Sequence, residues 1–291
     1  MTLPFDWIDA FTDRPFGGNG CVVVHEASDL SEEARMALVR ETSLAECAYL
    51  VPSERADFGV RYYLADREIL MAGHPTIATV TSLLHRELVT LEDGRAAFTL
   101  EVGAGILPIR VDARAEGPPR ITMTQPAPQF GRRWRPETIA ALYGLEAEDI
   151  LGTPRTVSTG TAFCITLLRD KAALRRARLD AAALEAMERD FFEPFLVTLG
   201  GETGAGDTFS RLLLPPPMPP EDPFTGSATG CMAAWLWAEG WIESPEFVAE
   251  QGHWLGRPGQ ARVRVLGPRD AIAGVEVAGQ GVVLMEGRLR L

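Results

Sequence analysis

The chain has 291 residues, 46% of them hydrophobic, enough for one large or two medium domains, each with its own core. Its 28 Lys and Arg against 40 Asp and Glu give a formal charge of −12, which repels a phosphate backbone and argues against nucleic acid as a partner. The opening MTLPFDWIDAF has no basic stretch followed by an apolar one, and no apolar run approaches the roughly 20 residues that cross a bilayer, so the expectation is a cytoplasmic protein with no membrane partner.

In chain order, Phe5 to Phe11 leads through the turn-rich TDRPFGGNG into CVVVH, a β-branched run suited to a buried strand. Ser31 is the expected N-cap of a helix over EEARMALVRETS, with acidic residues in its first turn. AECAYLV then reads as a strand whose alternation puts Glu46 on the face opposite Ala45 and Cys47. FGVRYYLA and REILMAG read as strands. At Gly73 the spacing changes to that of a helix, HPTIATVTSLLHREL, with Pro75 in the first turn, where its missing N–H is harmless. His74 is therefore expected at the mouth of that helix.

AAFTLEV and ILPIRVDA are further strands, and EGPPR at 116–120 reads as a linker. The expected division is a first domain over 1–117 and a second over 118–278, with a last strand of about 279–291 returning to the first. The second half repeats the logic: strands RITMTQ, CITLLR and SRLLLP, helices PETIAALYGL and DAAALEAMERDF, and a turn-rich PPPMPPEDPFTG. From Ser227 the run SATGCMAAWLWAEGW is apolar all round, as a buried central helix would be.

Cys21, Cys47, Cys164 and Cys231 are too dispersed for a disulfide framework or CxxC site and are expected to be mostly buried thiols. His25, His74, His85 and His253 show no close ligand spacing, and GGETGAGD lacks the spacing of a phosphate loop. Neither a metal nor a cofactor is expected.

A helix N-terminus presents unpaired N–H groups and the positive end of the macrodipole, so it suits a carboxylate or an enolate. Two mouths carry suggestive residues: His74 after Gly73, and Asp222, Thr225 and Ser227 around Gly226. Each of these residues also has a purely structural use, as a cap or turn former. Glu46, between apolar neighbours, is the candidate acid, and Asn19 with its glycines shapes a tight turn.

The segments DAFTDRPFGGNGCVVV, RETSLAECAYLV, RYYLADREILMAGHPTIAT and EDPFTGSATG, in this order, resemble the PhzF-like isomerases of phenazine biosynthesis, most specifically at GHPT and EDPFTGSA. The resemblance implies a diaminopimelate epimerase-like α/β (α+β) fold: two similar domains, each a curled, mostly antiparallel sheet around a central hydrophobic helix, with the active site in the cleft. It implies that Glu46 is the catalytic acid/base, that His74 and Asp222 join it in holding and polarising a small carboxylated substrate, and that Asn19, Gly73, Gly226 and Ser227 line the substrate site. It also suggests a homodimer. Gly20 and Ala45 depart from the family, which usually has Pro and Ser there. The alternatives are an epimerase or racemase of the same fold, which would use two facing thiols, and a non-catalytic binding protein.

Overall fold

The computed structural model describes residues 2–191 and 193–291. In chain order its elements are β1 (Thr2–Ala10), β2 (Asn19–Val24), α1 (Glu32–Thr42), β3 (Cys47–Val51), β4 (Phe58–Tyr63), β5 (Glu68–Ile69), α2 (His74–His85), β6 (Arg95–Val102), β7 (Gly105–Asp112) and β8 (Arg120–Gln125). There follow β9 (Gln129–Arg133), α3 (Pro136–Leu142), β10 (Ile150–Ser158), β11 (Ala162–Leu168), α4 (Lys171–Arg176), α5 (Ala181–Ala186), β12 (Pro194–Leu199), β13 (Thr208–Leu213), β14 (Glu221–Asp222), α6 (Gly226–Ala238), β15 (Glu246–Gln251), β16 (Gly259–Leu266), β17 (Gly274–Gly279) and β18 (Gly281–Arg290). The chain divides into two units, Met1–Thr124 with Ala278–Leu291, and Gln125–Val277. The Pro/Gly run at 116–120 is not a linker between them: it lies between β7 and β8, which pair antiparallel, with Asp112 opposite Arg120.

The two units share one topology. In the first, β1 pairs antiparallel with β2, β2 runs parallel to β3, β3 is antiparallel to β4, and β4 is parallel to β6, which turns back into β7. In the second the same sequence of pairings runs β10, β11, β12, β13, β15 and β16. Each unit inserts a two-residue strand, β5 or β14, immediately before its long apolar helix. The C-terminal β18 returns antiparallel to β1.

Each sheet packs on its own helix. α2 lies on β1, β2, β3 and β18 and is buried from His74 to Leu83; α6 lies on β10, β11, β12 and β16 and is buried from Gly226 to Leu236. Polar residues in α2 tolerate this because Thr76, Thr79 and Thr81 donate their hydroxyls to the carbonyls of Ala72, Pro75 and Ile77, one turn back. At the far end of α2, buried Asp6 accepts two hydrogen bonds from Arg86, at 2.7 Å each, and one from Ser82. Burial works against ionisation, but hydrogen bonds with His25, Arg86 and Ser82 hold the Asp6 carboxyl well below the usual range.

Three local expectations change. The strand read over 45–51 begins only at Cys47, because α1 ends at Thr42 and Ser43 caps it in the left-handed conformation, leaving 43–46 as a turn. REILMAG forms strand only at Glu68–Ile69, and the helix read over 180–191 stops at Ala186. Ser31 is the N-cap of α1, accepting from the amide of Ala34. Among the described residues, no helix is long and apolar enough to cross a membrane.

Candidate active site

Parallel pairing of β2 with β3 sets Val22 opposite Cys47, so Glu46, the residue before β3, comes beside the start of β2. From there its Oε2 lies 3.9 Å from Nδ1 of His74, the first residue of α2. The Glu46 side chain keeps 19% of its exposure while that of His74 keeps 2%, so the imidazole is fixed and the carboxylate is the accessible member. Glu46 thus stands in the turn leading into a strand, not within one.

Buried groups pack near this pair. Tyr62, on β4, reaches Thr76 Oγ1 at 2.8 Å; since Thr76 gives its proton to Ala72, the phenol is the donor. Burial pushes the Tyr62 phenol above its ordinary range. Asn19 opens β2, buried, behind Gly18, whose φ of +51° and approach to the Ala10 carbonyl leave no room for a Cβ. The nearby thiols are not nucleophiles at neutral pH: burial, with Glu46 adding to it, raises Cys47 to about 12 and Cys21 well above its usual value.

At the second helix, α6, the N-cap is Thr225, and Ser227 sits inside the first turn and is not the capping residue. Thr225 donates its hydroxyl to Asp222 Oδ2 at 2.5 Å, which ties the Asp222 side chain to the helix entrance. Buried Gln125 donates to the Gly226 carbonyl at 3.0 Å and accepts from the Thr159 hydroxyl at 2.6 Å. A Cβ on Gly230 would stand 1.8 Å from the Gln125 Oε1, which accounts for a glycine within an otherwise well-packed helix. Cys231, 3.3 Å from Thr159, is raised to about 11, burial again being the main cause.

Among the described residues neither N-cap, Gly73 for α2 or Thr225 for α6, makes a side-chain hydrogen bond to its own helix. The structure gathers Glu46, Gly73 and His74 at one mouth and Asp222, Gly226 and Ser227 at the other. Sequence reasoning did not single out Tyr62, Gln125 or Thr159; for Gln125 the signal was Gly230, since an interior glycine marks a close approach. Asp6, His85 and Glu286 also place ligand-type atoms within 4.8 Å of one another, but both Asp6 oxygens already accept from Arg86.

Two α/β units of repeated topology, each built on a buried helix whose mouth carries polar side chains, define the diaminopimelate epimerase-like class of fold. A hydroxyproline epimerase from Agrobacterium vitis shares that fold at a TM-score of 0.68 and 14% identity, covering 99% of this chain and 92% of that one. Within the class, the chain belongs to the family described as phenazine biosynthesis-like protein, whose model matches residues 8–287. The trans-2,3-dihydro-3-hydroxyanthranilate isomerase of Pseudomonas aeruginosa is 30% identical, with 98% of each chain covered. A phenazine biosynthesis protein of the PhzF family from Bacillus anthracis superposes with a TM-score of 0.86 at 26% identity, over 100% of both chains.

Proposed function

We propose that this protein is an isomerase that moves a proton within a small unsaturated carboxylated substrate by general acid/base catalysis, with its own side chains sufficient for the chemistry. The observation that carries the reading is the Glu46–His74 pair at the mouth of α2: an accessible carboxylate beside a buried imidazole, where helix amides favour negative charge. Glu46 takes a proton from a carbon adjacent to the unsaturated system, and the electron pair of that C–H bond delocalises into a dienolate. His74 and the α2 amides stabilise the charge, and Glu46 returns the proton to another carbon, restoring its carboxylate. Asp222 and Ser227, at the mouth of α6, are proposed by their polar groups as substrate-binding residues.

A thiol-pair racemase is disfavoured by the cysteines themselves: Cys21, Cys47 and Cys231 are fully buried and all raised in pKa. The P. aeruginosa relative makes trans-2,3-dihydro-3-hydroxyanthranilate the first compound to try. Incubation of that acid and a panel of small unsaturated acids in deuterated water, after exhaustive treatment with chelator, tests the reading. Deuterium uptake at carbon in at least one acid is the expected result. No uptake by the folded protein across the panel would remove the isomerase reading in favour of a binding protein.

A further inference from the structure

Gln251, the last residue of β15, has no exposed surface, and its amide is committed entirely to the loop that carries Asp222. Its Nε2 donates to the Asp222 carbonyl at 2.7 Å and to Thr225 Oγ1 at 3.2 Å, while its Oε1 accepts from the Thr225 amide at 3.0 Å. These partners fix the orientation of the amide, because the reversed orientation would set oxygen against a carbonyl and NH2 against an N–H. They also fix the Thr225 proton. With Gln251 donating into Oγ1, the hydroxyl proton points to Asp222 Oδ2, so the donors run in one direction from Gln251 through Thr225 to the carboxylate.

The backbone around the amide leaves little alternative. Gly252 has φ of +80°, and a Cβ there would lie 2.5 Å from the Pro223 carbonyl; a Cβ on Gly259, the pairing partner of Gln251, would lie 2.6 Å from the Phe224 ring. The 222–226 loop therefore rests directly on the end of β15 and the start of β16, and Gln251 is the polar contact at its centre.

We infer that Gln251 is a positioning residue for Asp222: by directing the Thr225 hydroxyl at Asp222 it sets the direction of that carboxyl group at the mouth of α6. This deepens, and rests on, the isomerase reading. Gln251→Glu is the discriminating variant. It retains size and an acceptor for the Thr225 amide, but it replaces a donor to Thr225 by a second acceptor, so the hydroxyl proton turns from Asp222 to residue 251.

The test has two arms. In NMR spectra the Thr225 hydroxyl proton, shielded from exchange in the wild type, should shift markedly in Gln251→Glu while the indole proton of Trp134, bonded to Thr156 in the same unit, stays in place. With trans-2,3-dihydro-3-hydroxyanthranilate as substrate, kcat should fall at least tenfold and KM change less than about threefold. Gln251→Met, neutral and of similar length, removes the clamp without diverting the proton and should lose less. An unmoved Thr225 signal, or a moved signal with unchanged kcat, overturns the positioning role, as does failure of both variants to fold, which would make Gln251 purely structural. If the wild type does not act on this acid, the substrate reading fails and the NMR arm alone decides the role of Gln251.

Discussion

Glu46 and Glu193 occupy the same topological place in the two units: each immediately precedes the strand, β3 or β12, that runs parallel to the strand before it. Their environments differ. Glu46 retains side-chain exposure beside His74, whereas Glu193 is 2% exposed, next to Tyr143, and its charge adds to the burial that pushes that phenol up. The helices that follow diverge in parallel. α2 has buried Ala78 at its fifth residue; α6 has Gly230 there, because Gln125 lies across it. The repeat thus reproduces a scaffold while its two units differ in the side chains placed around the helix mouths.

The largest way to sharpen this contrast is Gly230→Ala. The added methyl must displace Gln125 from both Gly226 and Thr159, and the expected cost is about 2–3 kcal/mol in urea unfolding. The reciprocal Ala78→Gly in α2 should cost only about 1 kcal/mol, the intrinsic helix penalty. Equal losses would mean that the two helices are packed alike.

Glu193→Gln should cost about 1–2 kcal/mol, since it replaces a buried carboxylate by a group with different hydrogen-bonding needs, and should leave turnover near wild type. A large loss of turnover at constant stability would give Glu193 a role that the contrast denies it.

Acid stability offers a subtler probe of the first unit. The Asp6 carboxyl has a depressed native pKa, so its stabilisation is complete above its unfolded value of about 4 and is lost as pH falls through that value towards the native one. Asp6→Asn should therefore be less stable than the wild type at pH 7, with the difference narrowing on acidification. A difference that stays constant with pH would contradict the ionised pairing with Arg86. The smallest effect is expected from Cys231→Ala and Cys47→Ala, which should change turnover less than about threefold; loss of activity from either would revive a thiol mechanism.

Much of this was legible in the sequence, and for physical reasons. The apolar faces of HPTIATVTSLLH and SATGCMAAWLWA, following Gly73 and Gly226, announce buried helices, and both form. The strands β1, β2, β6 and β7 follow from β-branched runs and turn residues. What was not legible depended on long-range partners. The start of β3 at Cys47 is set by the left-handed cap at Ser43 and by pairing with β2, neither of which periodicity reveals. β9, β10, β12 and β15 to β17 went unread, and Gln125 and Gln251 acquire meaning only when their strand ends are brought against α6. The EGPPR run shows that Pro and Gly mark a turn without saying whether it joins units or neighbouring strands.

Glu46 is the residue proposed to carry the proton, and Glu46→Gln tests this most directly because it keeps shape while removing the basic oxygen. Wild type and variant are compared for deuterium uptake from solvent into whichever acid the wild type labels, alongside their urea unfolding curves. The prediction is a loss of about 10²–10⁴ in rate with stability within about 1 kcal/mol of wild type. A folded Glu46→Gln protein that exchanges at near the wild-type rate would contradict the assignment and remove the α2 mouth from the chemistry.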